Sequence, residues 1–287
     1  KELKAIIKKG NYDIVHCHTP MGGILARLAA KDERKKGTKV IYTAHGFHFF
    51  KGAPLLNKVI FYPIEWIMST MTDCLITINS EDFSVAKKHL KAKKIVKVNG
   101  VGYNRDLFYK ISEEEKIRLR KEKGYPEDAI ILIYVAEMNA NKNQGMLVRM
   151  MKRLTKANKN IRLLIVGADN YEGKYIRLAE ELGVSDYIDF LGHRNDACDL
   201  VHLSDIAVGS SLREGLPVNV MEAMACGLPV VLSDNRGHRE LCRNGSNGYI
   251  VAPDDDETMA KRVAELINDK ALYNKFSGKS LELIKPY

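Results

Sequence analysis

Apolar residues in this chain fall into short runs separated by longer mixed segments. Residues 12–17, 40–43, 74–78 and 95–98 read as strands. Between them, 22–30, 56–71 and 80–90 read as helices, the last opened by Ser80 as its predicted cap. A second series starts at 129–136 and continues with strands at 162–166, 188–191, 206–208, 230–233 and 249–251. Each is followed by a helical segment or a glycine-rich turn. Such alternation predicts an α/β fold, with parallel sheets joined by crossover helices. The rhythm breaks between the two series. Ser112 and Glu115 have the spacing of a capping box, and they open a helix too polar for a core. That helix is predicted to be a connector or an outer helix. Two α/β units therefore meet around residues 104–125, and the predicted domains are 1–110 and 111–287. A ligand is expected in a cleft at the carboxyl ends of their strands. The chain opens in a helical pattern and closes in another, so it is expected to be a piece of a longer protein.

The segment REGLPVNVMEAMACGLPVV, from Arg213 to Val231, carries the sharpest local signal. Pro217 suits the first turn of a helix, 218–226 is good helix material, and Gly227 with Pro229 marks its stop. Glu214 then lies in the loop before the helix and Glu222 one to two turns along it. Between them, backbone N–H groups and the helix dipole make a site for an anion, and a diphosphate would fit. Either carboxylate could accept hydrogen bonds from hydroxyl groups flanking it. On spacing alone, Glu214 reads as a dipole partner and Glu222 as a surface glutamate.

Composition narrows the partners. The 287 residues are 45% hydrophobic, enough for two cored domains. Forty-five Lys and Arg against 36 Asp and Glu leave a charge of +9, which suggests an anionic partner. Five scattered cysteines without a C-x-x-C pair predict reduced thiols and argue against zinc. No apolar run approaches a membrane span and no signal peptide opens the sequence, so a cytoplasmic location is expected.

Taken together, the segments resemble a family 4 retaining glycosyltransferase of the GT-B fold, of the bacterial capsule and exopolysaccharide type. The resemblance runs from DIVHCH at Asp13 through TAHGF at Thr43, TDCLIT at Thr72, VNGVG at Val98, NKNQ at Asn141, LIVG at Leu164 and FLG at Phe190. It ends in SLREGLP at Ser211 and EAMACGLP at Glu222, which match the family's E-x7-E signature. It implies two Rossmann-like domains whose parallel sheets face a cleft, with the first domain incomplete. Because its opening strand–helix units would be missing, the chain alone is expected to be poorly active.

The resemblance further implies that the second domain binds a nucleoside-diphosphate sugar, with uridine as the family-level expectation. Glu214 would contact the donor sugar, Glu222 the ribose, and Lys142 the diphosphate as charge builds on the leaving group. Without the family, Lys142 is an ordinary helix-entry lysine. Gly167, Gly215, Leu216 and Val218 would line the donor site. The chain departs from the family at Glu137, which stands where a second phosphate-binding arginine is usual. Arg213 and Arg194 are candidate replacements, although Arg194 also reads as a solvated loop residue. Pro217 removes an N–H where glycine is frequent. In the first domain, His45 would steady the reaction centre, and His18, Gly22 and Gly23 would line the acceptor side. A lone His45 otherwise reads as a buried histidine bonded to backbone, and the two glycines as a tight turn. His16 and His18 share one strand face, but two histidines without a carboxylate are a weak metal signal. No metal or cofactor is expected.

The implied reaction is sugar transfer with retention to an acceptor hydroxyl, with a glycan or lipid-linked acceptor. The basic run KKHLKAKK from Lys87 reads either as a solvated helix end or as a peripheral contact with anionic membrane. A nucleotide-sugar epimerase would lack the paired glutamates. A nucleic-acid-binding protein would need clustered aromatics or a groove-reading helix, and neither is present, so no nucleic-acid partner is expected.

Overall fold

In the computed structural model, which describes residues 1–50 and 52–287, the apolar runs become two all-parallel sheets. The chain divides after Gly100. The first unit contains α1 (Glu2–Gly10), β1 (Ile14–His18), α2 (Pro20–Ala29), α3 (Lys31–Lys35) and β2 (Lys39–Ala44). It continues with α4 (Leu55–Ser69), β3 (Cys74–Thr77), α5 (Ser80–His89) and β4 (Lys94–Lys97). Its four strands lie in chain order, β1-β2-β3-β4. Cys17, Tyr42, Phe47, Phe49 and Leu75 form its core. A charged pair lies within it: Arg27 is fully buried, and its guanidinium donates to both carboxylate oxygens of Glu65. The same group lies 4.1 Å from the Tyr42 ring centroid.

The second unit begins with α6 (Glu113–Lys123), β5 (Ile130–Val135), α7 (Gln144–Ala157), β6 (Ile161–Val166) and α8 (Lys174–Glu181). Next come β7 (Ile188–Gly192), α9 (Ala197–His202), β8 (Ile206–Gly209), α10 (Val218–Ala225) and β9 (Val230–Ser233). The unit closes with α11 (Arg236–Leu241), β10 (Gly248–Val251), α12 (Asp256–Asn268) and α13 (Lys270–Leu283). Its strand order is β10-β9-β8-β5-β6-β7. Helices cover both faces of this sheet, so β8 and β9 are buried at every position. Met146, Leu147, Met150 and Met151 of α7 are all completely buried in the larger core.

Two local expectations change and one is met. The division falls at Gly100 rather than 110, because residues 101–110 pack with the second unit. Phe108 is buried there, and the Cys198 thiol donates to Leu107 O at 2.9 Å. The cap of α5 is Asn79, not Ser80: Asn79 is extended and its side chain accepts from Asp82 N at 2.8 Å. The polar helix α6 has the predicted Ser112 cap, accepting from Glu115 N. It docks through charge, with Lys116 and Arg120 gripping Asp205 at 2.6 and 2.8 Å. No helix among the described residues is long and apolar enough to cross a membrane.

Candidate functional site

The sheet of the second unit reverses its winding at β5, with β6 and β7 on one side and β8 to β10 on the other. Loops leaving adjacent strands at such a point diverge and open a crevice. The loop after β5 carries Lys142, and the loop after β8 carries Glu214. Their side chains turn toward each other: Lys142 Nζ donates to Glu214 Oε1 at 2.6 Å, with only 20% and 15% of the side chains exposed.

Backbone and hydroxyl bonds lace the two loops together. Leu212 N donates to Asn141 O at 2.8 Å, Asn141 Nδ2 to Arg213 O at 3.1 Å, and Ser210 Oγ to Lys142 O at 2.7 Å. Beneath them, Tyr134 OH meets Ser211 Oγ at 2.6 Å, and Ser233 Oγ and Asn235 Nδ2 both donate to Ser211 O. His238 is buried and bonds Ser233 O through Nδ1 at 2.7 Å; burial lowers its pKa and keeps the ring neutral. Gly237 lets α11 approach, since a Cβ there would stand 2.7 Å from Glu214 Cβ. Sequence reading missed this supporting layer. Its trace was small polar residues, Ser210, Ser211, Ser233 and Asn235, where buried strands end.

Helix α10 follows directly. Pro217 is its N-cap, so no side chain caps the first turn. Asn219 Nδ2 ties that turn to Val135 O at 2.9 Å. At the far end Gly227 adopts φ 80°, with Gly227 N donating to Met224 O and Leu228 N to Ala223 O, the stop predicted from sequence. Glu222 is half-buried, and its carboxylate has no hydrogen-bond partner among the described residues. Burial alone raises its pKa to about 7.

The other predicted donor residues separate by environment. Arg213 is exposed, Gly215 and Val218 are half-buried, and Leu216 is buried. A Cβ on Gly167 would lie 2.2 Å from Ala136 O, so glycine there permits a close backbone approach. Glu137 is held by amides from two loops, accepting from Asn139 Nδ2 at 2.9 Å and Asn170 Nδ2 at 2.7 Å. Arg194 is engaged by Asp196 through two bonds of 2.7 and 2.8 Å, and the same carboxylate also binds Lys123. It is an exposed loop arginine whose charge is already paired.

In the first unit the histidines do come together. His18 Nδ1 and His45 Nε2 are 2.9 Å apart, and the His16 and His18 rings are 4.3 Å apart. His16 Nε2 also meets Thr43 Oγ1 at 2.9 Å. Burial, and then mutual repulsion, lowers the pKa of both His16 and His45. Gly22 and Gly23 form no tight turn. Both lie in the first turn of α2, and Gly23 is buried where a Cβ would stand 2.7 Å from the Tyr42 ring.

Comparison with known proteins follows the same division. Residues 115–281 match the family described as glycosyl transferases group 1, and residues 1–79 match a glycosyl transferase 4-like family. The chain is 46% identical over 276 residues to the putative glycosyltransferase EpsD of Bacillus subtilis, covering 96% of this chain and 72% of that protein. It is 26% identical to the Escherichia coli UDP-Gal:alpha-D-GlcNAc-diphosphoundecaprenol alpha-1,3-galactosyltransferase, covering 94% and 70%. Among solved structures, Anabaena HepE in complex with UDP and glucose superposes with a TM-score of 0.82 at 18% identity, covering 98% and 76%. The fold is GT-B, and the chain belongs to the group 1 glycosyl transferases, of the family 4 type.

Proposed function

We propose that the chain transfers a sugar from a uridine-diphosphate donor to an acceptor hydroxyl with retention of configuration, in polysaccharide synthesis. The observation that carries this reading is the Lys142–Glu214 pair at the switch point, beside the uncapped start of α10. An arriving diphosphate exchanges places with the Glu214 carboxylate on the ammonium. Lys142 then balances charge on the departing phosphate, and Glu214 is released to accept bonds from sugar hydroxyls. Glu222, lacking any protein partner for its carboxylate, takes the ribose hydroxyls. His45, kept neutral by burial, offers a ring nitrogen to the charge-separated state. The leaving phosphate assists removal of the acceptor proton, so the scheme calls on no protein nucleophile and no resident metal ion.

A lipid-linked glycan acceptor is supported by the name of the Escherichia coli relative, which acts on a diphosphoundecaprenol-linked sugar. With the exposed lysines around α5, it supports a cytoplasmic protein that meets the anionic inner surface of the membrane. A thermal-shift panel of nucleoside diphosphates tests the donor half directly. UDP at a hundred times its Kd stabilises a single-site protein by about 2.7 kcal/mol. A clear rise with UDP is expected, and a flat response to every nucleoside diphosphate would end the proposal.

A further inference from the structure

Helix α4 is built inside out. Its buried face includes a carboxylate and a hydroxyl: Glu65 and Ser69 are buried with Met68. At ~100° per residue, an arc of roughly 140° faces outward. That arc holds Leu55, Leu56, Val59, Ile60, Trp66 and Ile67, with Pro63, and no polar side chain. Leu55, Leu56 and Val59 are 76%, 68% and 62% exposed, so most of each side chain is uncovered by the described residues. Helix α2 packs beside α4 and bears its own exposed stripe of Met21, Leu25 and Leu28. Soluble proteins rarely leave so continuous an apolar face open.

The charges around this face select its occupant. Lys58 flanks the arc on the helix itself, exposed and without a carboxylate partner among the described residues. Lys91 Nζ sits 4.3 Å over the Trp66 ring centroid, joining an aromatic and an ammonium at the rim. Lys87 and Lys88, at the end of α5, are also exposed and unpaired with any carboxylate among the described residues. An apolar face with Lys58 on the same helix and Lys91 over Trp66 matches a bilayer interface bearing anionic headgroups. We propose that the outward face of α4 docks on an anionic lipid surface, lying in the plane of the interface with Trp66 at headgroup depth. The proposal rests on the reading of a lipid-linked acceptor, which a bilayer would hold at the same surface. It moves the membrane contact from the lysine run alone to an apolar helix that the run meets at Lys91.

Trp66 is the only tryptophan in the sequence, so its fluorescence reports on this face alone. The chain is mixed with vesicles of phosphatidylcholine, or of phosphatidylcholine with phosphatidylglycerol. A blue shift and co-sedimentation are expected with the anionic vesicles, and salt should weaken them. Leu56→Asp with Ile60→Asp lies on the exposed arc and should fold normally while lowering partition about tenfold or more. Lys88→Glu with Lys91→Glu should remove the preference for anionic lipid. Unchanged Trp66 emission, or equal binding by the aspartate variant, overturns the proposal. So does a self-association that the aspartate variant abolishes without any vesicle binding, which would mark a second copy as the occupant. The UDP thermal shift, measured on the same variants, separates the two ideas. Its loss in the parent chain sinks the transfer reading and leaves vesicle binding to stand or fall alone.

Discussion

The two units use the same parallel α/β plan, and each buries a charged pair, but they differ in how fully their strands and apolar side chains are covered. In the second, strands β8 and β9 are buried throughout, and the polar groups gather where strands end. In the first, β1 has one buried position in five, a charged pair sits inside, and large apolar side chains stand outside. A dry core lets the second unit hold Lys142 and Glu214 in one fixed relation, because every loop beneath them is tied to buried strands. The first unit gives up part of that economy. Its buried guanidinium is tolerated only because Glu65, Gly23 O at 2.9 Å and the Tyr42 ring surround it.

The largest effect should come from breaking that internal pair. Arg27→Ala leaves Glu65 buried without its partner and should cost about 3–5 kcal/mol. Thermal unfolding followed by Trp66 fluorescence reports on the first unit, and the UDP shift reports on the second. If the units differ as described, the Trp66 transition falls while nucleotide binding survives. Loss of both would blur the contrast.

Next comes the site itself. Lys142→Ala should lower turnover about 10²- to 10³-fold, the range seen for removing one transition-state donor. Its stability cost should stay near ~1 kcal/mol, since the pair is only partly buried. Steady-state transfer assays and denaturant unfolding on the same variant distinguish these. Near-normal turnover would deny Lys142 its role.

The smallest effect carries a pH signature. The Glu222 pKa is raised from 4.5 to about 7 by burial, so the folded chain binds the extra proton between those values. Stability from this group is highest below pH 4.5 and falls as pH rises to about 7. Glu222→Gln should therefore stabilise the chain above pH 7, on the order of 2 kcal/mol after allowance for partial exposure, and should gain nothing toward pH 4.5. The same variant should weaken UDP. Calorimetry at both pH values checks the sign, and an equal gain at each would remove burial as the cause.

Much of this was legible in the residues. The strand runs, the Gly227 stop and the Ser112 cap each depend on neighbours within a few positions. The support under Glu214 was not, because Tyr134, Ser211, Ser233 and His238 meet only when β5, β8 and β9 lie side by side. Nor was the reason for Gly23 of α2, which answers to Tyr42 on β2. Glu137 stands in the sequence where the resemblance calls for an arginine, and only the fold shows the Asn139 and Asn170 amides that hold it.

The sequence by itself determined which segments form strands and helices, and that a helix opens at Val218 behind a proline. Those follow from local periodicity, capping and backbone constraint. Only the tertiary structure decided that Lys142 and Glu214 share a bond and that α4 turns its apolar face outward. Side-chain direction across elements is set by how the sheet winds and by what packs beneath, and neither is written in any single stretch of chain.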